Sequence, residues 1–254
     1  TLFLDNRGLQ YAGKFKGRIV NISSAHFSGN ILFKLNSFFL LLFGFIQSFY
    51  HLVIIRPSNC ISFGSYASFM PLIVAALLRV LRLTEIHLHE QNSIIGKVNL
   101  FFLPLSKNIF VNFNSIKNLQ SQYRNKMNYV GSPTYNKKII KKRSIKINKE
   151  KKIKIFVYGG SQGSINLNNC FLKMIKKLPY NYYNKLIIVV QSSYKQIPKI
   201  KGVLKDLKID FELKSFFDDI HRILASSDIV IARSGAGTIN DIIDSQIPAI
   251  LVPL

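Results

Sequence analysis

Acidic side chains are scarce in this chain: 12 stand against 35 lysines and arginines, a formal charge of +23 over 254 residues. Part of that excess reads as compositional drift, because Lys, Asn, Ile, Phe and Tyr are all frequent, as in AT-rich coding sequence. The functional readings are an anionic membrane surface, an anionic substrate or nucleic acid. Zinc-finger spacing and an aromatic RNA-binding signature are both missing, so nucleic acid is not an expected partner. Cysteine is equally sparse. Cys60 and Cys170 lie far apart without metal-ligand spacing and read as two buried thiols of a reducing compartment. No Asp-x-Asp motif offers a metal clamp, and neither a bound metal nor a cofactor is expected. Thr1-Leu2-Phe3-Leu4-Asp5 lacks the basic start of a secretory signal, and no short repeat runs through the chain. The missing initiator Met and the end on Val252-Pro253-Leu254 lead us to expect a piece of a longer protein.

What is present is the composition of a globular protein, 48% hydrophobic and 19% charged. The most informative segment is Lys154-Ile155-Phe156-Val157-Tyr158, an apolar run that ends in Gly159-Gly160-Ser161-Gln162-Gly163-Ser164 ahead of a helix-like stretch. Glycines let main-chain N–H groups come close to a ligand. A helix N-terminus just beyond adds unpaired donors and partial positive charge, a combination suited to a phosphate or diphosphate. A second such unit follows: Asp228 to Ala232 as a buried strand, then Arg233-Ser234-Gly235-Ala236-Gly237-Thr238, a helix from Ile239 to Ser245, and a strand from Ala249 to Val252. Two strand–glycine–helix units predict an α/β fold with a doubly wound parallel sheet, both loops facing the crevice at the carboxyl ends of the strands.

The earlier part of the chain alternates in the same way. Strands are expected at Arg18–Ile22, Cys60–Phe63, Glu85–Leu88 and Asn108–Val111, and helices at Pro71–Leu83 and after Ile94. Asn36 to Ile55 is the most apolar stretch. It reads first as a buried helix, second as a helix with one face dipping into a bilayer interface, and least readily as a membrane span, since Gln47, Ser48 and His51 interrupt it. Gly131-Ser132-Pro133 and the basic run that follows form a linker. The expected organisation is residues 1–133 as one domain, 134–152 as the basic linker and 153–254 as a second domain.

His89-Glu90-Gln91-Asn92 places four hydrogen-bonding side chains at the end of a strand, which suits a polar ligand such as a sugar. The bland alternative is a solvated loop in which Asn92 caps a helix. Glu90 or His89 could act as a general base in principle, and spacing selects neither. With these residues the chain resembles the MurG family of peptidoglycan glycosyltransferases, enzymes that carry N-acetylglucosamine from UDP to lipid-linked N-acetylmuramyl-pentapeptide. The resemblance rests on His89-Glu90-Gln91-Asn92, Gly159 to Gly163 and Arg233 to Thr238 in this order. It is reinforced by Gly64-Ser65-Tyr66-Ala67-Ser68 and Val130-Gly131-Ser132-Pro133.

The resemblance implies two Rossmann-like domains in the GT-B architecture, each lacking a part, and an inverting hexosyltransferase of cell-wall biogenesis, on which cell shape and division depend. The N-terminal domain would lack its first strand and glycine loop, and the C-terminal domain its last part. The partners implied are UDP-N-acetylglucosamine, an undecaprenyl-pyrophosphate-linked acceptor and an anionic membrane surface, with the protein peripheral on the cytoplasmic face of the inner membrane. By the same resemblance Asn92 would touch the sugar ring. Gly160, Ser161, Gln162 and Gly163 would hold the diphosphate. Ala236, Gly237 and Thr238 would line the nucleotide pocket, with Asp241 toward the ribose, and the main chain at Phe217 would meet uracil. Gly64, Tyr66 and Glu90 would lie on the acceptor side.

The chain departs from the family pattern in four places. Asp241 stands for a usual Glu, Phe217 for a usual Ile, Ser65 for a Gly, and Tyr135 for an Arg found in several relatives. The family's favoured base belongs to a Gly-Gly-Thr-Gly-Gly-His loop that would precede Thr1, so no catalytic residue is assigned within the chain. Alternatives are another GT-B UDP-sugar enzyme, such as a UDP-sugar epimerase, or an inactive remnant.

Overall fold

The computed structural model describes residues 1–9, 12–25, 30–133, 152–159 and 164–253. The basic run from 134 to 151, with Tyr135, and the loop residues Gly160, Ser161, Gln162 and Gly163 lie outside the described residues. The chain divides into two compact units, Thr1–Pro133 and Thr134–Leu254.

In the first unit β1 (Leu2–Leu4), the short α1 (Asn6–Leu9) and β2 (Ile19–Asn21) precede a 25-residue helix, α2 (Ile31–Ile55). Then come β3 (Asn59–Ser62), α3 (Phe69–Val80), β4 (Glu85–Glu90), α4 (Lys97–Phe102), β5 (Asn108–Val111) and β6 (Met127–Tyr129). All pairings are parallel. β1 and β2 form one ribbon, and a separate four-stranded sheet has the order β3-β4-β5-β6. The core lies on one face of the larger sheet, where Ile86, Leu88, Ile109 and Val111 meet Leu72, Phe102 and Leu103 of the helical side. On its other face Ile61 and Phe63 remain exposed.

β1 and β3 rest on the same helical layer. Phe3 of β1 and Cys60 of β3 both pack against Leu52 of α2 and Val74 and Leu78 of α3. Neither strand pairs with the other, and a cavity of about 280 Å³ lies between them, lined by Leu2, Leu4, Ile61, Ser62 and Phe63 among others.

The apolar stretch is helical, as expected, but is not a buried helix. Its inward stripe is small and partly polar: Ser37, Leu41, Gly44, Ser48 and Leu52 are buried. Phe38, Phe39, Leu42, Phe43, Ile46 and Phe49 point outward and are exposed. Close approach explains the choice of face. A Cβ at Gly44 would come within 2.2 Å of the Ser23 main-chain oxygen, and the Ser23 N–H donates to Gln47 Oε1 at 2.9 Å. A larger residue cannot occupy the docking point, so the bulky side chains are left outside. Arg56 ends the helix in the left-handed region (φ 47°), its N–H donating to the Leu52 carbonyl, and Pro57 follows. The thiols also differ from expectation: Cys170 is exposed and Cys60 is half-buried beside Thr84.

The second unit is doubly wound. β7 (Ile153–Tyr158), α5 (Ile165–Ile175), β8 (Leu186–Gln191), α6 (Ile197–Asp206), β9 (Asp210–Lys214), α7 (Ile220–Ser226), β10 (Ile229–Arg233), α8 (Ala236–Ser245) and β11 (Ala249–Val252) follow in turn. The parallel sheet has the order β11-β10-β7-β8-β9. Alternation along the strands separates two cores. Val157, Ile188, Val190 and Ile231 face α5 and α6, while Phe156, Val189, Val230 and Ala232 face α7 and α8.

Gly44→Ala should lower stability by about 1–3 kcal/mol, because a main-chain oxygen cannot yield as a side chain can. Gly202→Ala, in α6 with no atom within 4 Å of the added Cβ, should raise it by about 0.5–1 kcal/mol through helix propensity. Urea unfolding of both variants checks the contrast.

Candidate active site

In the second unit the chain adds β8 and β9 on one side of β7 and then crosses to add β10 and β11 on the other. The crevice at the carboxyl ends of β7 and β10 is therefore the topological switch point, where ligands bind in open parallel sheets. Of the two glycine-bearing turns read from the sequence, the first lies outside the described residues from Gly160 to Gly163, and the helices that follow both turns begin at this edge. After β7, Ser164 caps α5 by accepting the Leu167 N–H at 3.3 Å. After β10, Gly235 is the N-cap of α8 and supplies no side-chain cap, so the first turn, Ala236-Gly237-Thr238, keeps its donors open. A Cβ on Gly237 would meet nothing within 4 Å. Open space above uncapped N–H groups at the positive end of a ten-residue helix suits an anionic ligand. Thr238 is buried.

Asp241 lies on α8 and is half-buried. Its carboxylate is 3.9 Å from His221 Nε2 of α7. Burial raises its pKa above the usual carboxylate value; His221 opposes the shift and Asp244 adds to it. Phe217 is a core residue by its side chain, 4% exposed, with its ring edge-on to Phe156. Only its main chain lies at the carboxyl edge, where its N–H donates to Gln191 Oε1 at 3.3 Å.

In the first unit β4 runs two residues further than expected, through His89 and Glu90, and both are buried. Glu90 organises the turn after the strand. Its Oε1 accepts from the Asn92 main-chain N–H at 2.9 Å and from Asn92 Nδ2 at 3.1 Å. Its Oε2 accepts from the Gly96 N–H at 2.8 Å and Asn99 Nδ2 at 2.9 Å. A carboxylate engaged by four donors is a scaffold for the turn, an unsuitable arrangement for a free base. Asn92 is exposed and anchored by Glu90; the N-cap of α4 is Gly96, so Asn92 does not cap that helix. Gly64 has φ +73° and lies against the Asn99 amide, 2.6 Å from where a Cβ would stand. The Ser62 hydroxyl accepts from the Gly64 N–H and donates to the Ser68 hydroxyl, which in turn donates to the Ser65 carbonyl, and Tyr66 beside them is exposed. His89 Nε2 donates to the Gly131 carbonyl at 3.2 Å, which leaves Nδ1 buried and without a hydrogen-bond partner among the described residues.

Sequence reasoning did not single out Asn99, which joins Gly64, His89 and Glu90, or Gln191 and Ser192 at the end of β8 with Asn168 of α5 bonded to Ser192. They are polar residues in apolar contexts, and only their burial, about 1% exposure each, marks them.

Comparison with known proteins agrees with this arrangement. Residues 8–111 match the Glycosyltransferase family 28 N-terminal domain and residues 154–254 the Glycosyltransferase family 28 C-terminal domain. A Rickettsia bellii protein named UDP-N-acetylglucosamine--N-acetylmuramyl-(pentapeptide) pyrophosphoryl-undecaprenol N-acetylglucosamine transferase is 32% identical over 256 residues, covering 98% of this chain and 69% of the relative. The chain belongs to glycosyltransferase family 28. A Wolbachia pipientis wMel relative of the same name is 34% identical over 87% of this chain and 61% of its own length. The chain thus spans 61% to 69% of these two family 28 relatives. Among solved structures, Acinetobacter baumannii MurG matches with a TM-score of 0.66 at 20% identity, over 99% of this chain and 68% of that one. A Neisseria meningitidis UDP-GlcNAc 2-epimerase bound to UDP-GlcNAc matches with 0.56 at 12%, over 98% and 73%. At those identities the structures establish the fold, the two Rossmann-like units of GT-B enzymes.

Because the folded state holds the Asp241 proton more tightly than the unfolded chain, stability falls as pH rises from the ordinary carboxylate value through the raised one. Asp241→Asn should therefore melt higher than the parent at neutral pH, and the two should converge in acid, where both side chains are neutral. Thermal unfolding from pH 3 to 8 reads this directly.

Proposed function

We propose that the parent protein transfers N-acetylglucosamine from UDP-N-acetylglucosamine to undecaprenyl-pyrophosphoryl-N-acetylmuramyl-pentapeptide, forming the disaccharide lipid precursor of peptidoglycan with inversion at the anomeric carbon. The observation that carries this reading is the crevice between β7 and β10, bordered by the uncapped start of α8. Family 28 membership and the relatives' names support the substrates. The departing diphosphate gains stabilisation from main-chain N–H groups and the helix dipole. Ser161, Gly160, Gln162 and Gly163 are assigned to the diphosphate, and Ala236, Gly237, Thr238, Asp241 and the Phe217 main chain to the nucleoside. Asn92, Gly64, Tyr66 and Glu90 are assigned to the sugar and acceptor side.

The open seam between β1 and β3 is where we place a further parallel strand of the parent protein. Both flanking strands lie on one helical layer and present unpaired edges to an apolar cavity. Such a strand would stand at the switch point of this unit, and the loop after it is our choice for the general base. The longer parent should then transfer N-acetylglucosamine to a lipid-linked acceptor, while the 254-residue chain binds UDP and transfers nothing. In the parent, Ser161→Ala should raise the donor KM about tenfold, the loss of one charge-assisted hydrogen bond. Transfer of radiolabelled sugar measures both. An unchanged donor KM would remove Ser161 from the site.

We further propose that the protein is peripheral on the cytoplasmic face of the inner membrane and lies on it through α2. The outward face of α2 offers a contiguous apolar surface of a kind that monomeric soluble proteins rarely expose. The most apolar 18-residue window of Lys34–Ile55 has a mean hydropathy of 2.1 with 22% of it buried, and Arg18, Arg56, Arg79 and Arg82 belong to the same unit. Replacing Phe39, Phe43 and Ile46 together by Glu leaves the docking stripe intact. It should abolish co-sedimentation with phosphatidylglycerol vesicles while the circular dichroism spectrum stays unchanged.

A further inference from the structure

The loop between β9 and α7 crosses the sheet beside the proposed donor crevice. It leaves the edge strand β9 at Lys214 and reaches back across β8, so that Phe217 packs on Phe156 of β7 with ring centroids 5.9 Å apart. Asp219 then caps α7 by accepting the Arg222 N–H at 3.0 Å, and Leu224 of that helix joins the cluster formed with Val230 and Ile242. Midway along the crossing the Phe217 N–H donates to Gln191 Oε1. Gln191 is the last residue of β8, in register with Tyr158, which precedes the glycine loop, and with Lys214, from which the crossing departs. Ser192 continues the brace. Its hydroxyl accepts from Asn168 Nδ2 in the first turns of α5 at 2.7 Å, and its N–H donates to the Lys214 carbonyl at 3.0 Å.

A buried amide is costly unless its hydrogen bonds are made, and a hydrocarbon of the same length would fill the space. We propose that Gln191 is a positioning residue of the donor site. By holding the Phe217 main chain across the carboxyl edge near the end of β7, it sets the affinity for the uridine end of the nucleotide and leaves the diphosphate end untouched. This rests on the donor reading above.

The test uses the 254-residue chain with two probes, UDP and inorganic pyrophosphate, titrated by calorimetry. Gln191→Met keeps the length and removes the acceptor; Gln191→Glu keeps an acceptor oxygen. Gln191→Met should weaken UDP about tenfold, the effect of leaving one buried N–H unpaired, with pyrophosphate affinity unchanged and Gln191→Glu close to wild type. Undiminished UDP binding in Gln191→Met, or equal losses for UDP and pyrophosphate, would overturn the proposal. If wild type binds no UDP, the donor reading itself is wrong. Amide hydrogen exchange in the unliganded wild type decides the brace even where Gln191→Met does not fold. Phe217 should be strongly protected from exchange, and exchange at the rate of an unstructured amide would overturn it.

Discussion

The parallel pairing of β7 with β10 is the constraint on which the second unit depends. Both strands are central, their neighbours lie on opposite sides, and their crossovers must therefore leave the sheet in opposite directions. That divergence opens a crevice at the carboxyl edge with no strand running through it. The Gly235-led start of α8 follows from this topology, and its uncapped first turn leaves main-chain donors open at that edge. Polar residues at the ends of the strands, Gln191 and Ser192, then tie the surrounding loops to the sheet.

The first unit is built on a different balance. Its four-stranded sheet has a full core on one face, whereas β1 and β2 form a separate ribbon held by the helical layer beneath. The longest helix docks through its smallest residues. An ordinary amphipathic helix buries its largest apolar side chains; α2 buries Ser37, Gly44 and Ser48 beside Leu41 and Leu52 and exposes Phe38, Phe39, Phe43 and Phe49. This inversion costs apolar burial and is understandable if the outer face meets an apolar phase, the physical basis for assigning that surface to a membrane.

Polar side chains in this protein act mainly as framework. Glu90 turns both oxygens into its own loop and so fixes Asn92, and Asn99 fills the hollow left by Gly64. Such residues look catalytic in a sequence because they are hydrogen-bonding groups at strand ends. Geometry separates them: a group whose lone pairs are already engaged by main-chain N–H donors positions the site, and the chemistry falls to others.

The sequence by itself determined the alternation of strands and helices, the two glycine turns and the strand–turn–helix setting of His89 to Asn92. These follow from local properties: period-two and period-3.6 patterning, and the backbone demands of glycine. It also carried the family, because the motifs occur in order. It did not reveal the three-residue strands β1 and β6, which are too short to show a period, or the extension of β4 through Glu90, whose burial depends on donors as far as six and nine residues away. Nor could it choose which face of α2 points inward. A helix apolar on nearly every side has no period to read, and the decision came from one close contact between Gly44 and the Ser23 main chain. Tertiary structure alone placed Gln191 beneath Phe217, because a hydrogen bond between residues far apart in the chain is created by the path of a loop across a sheet.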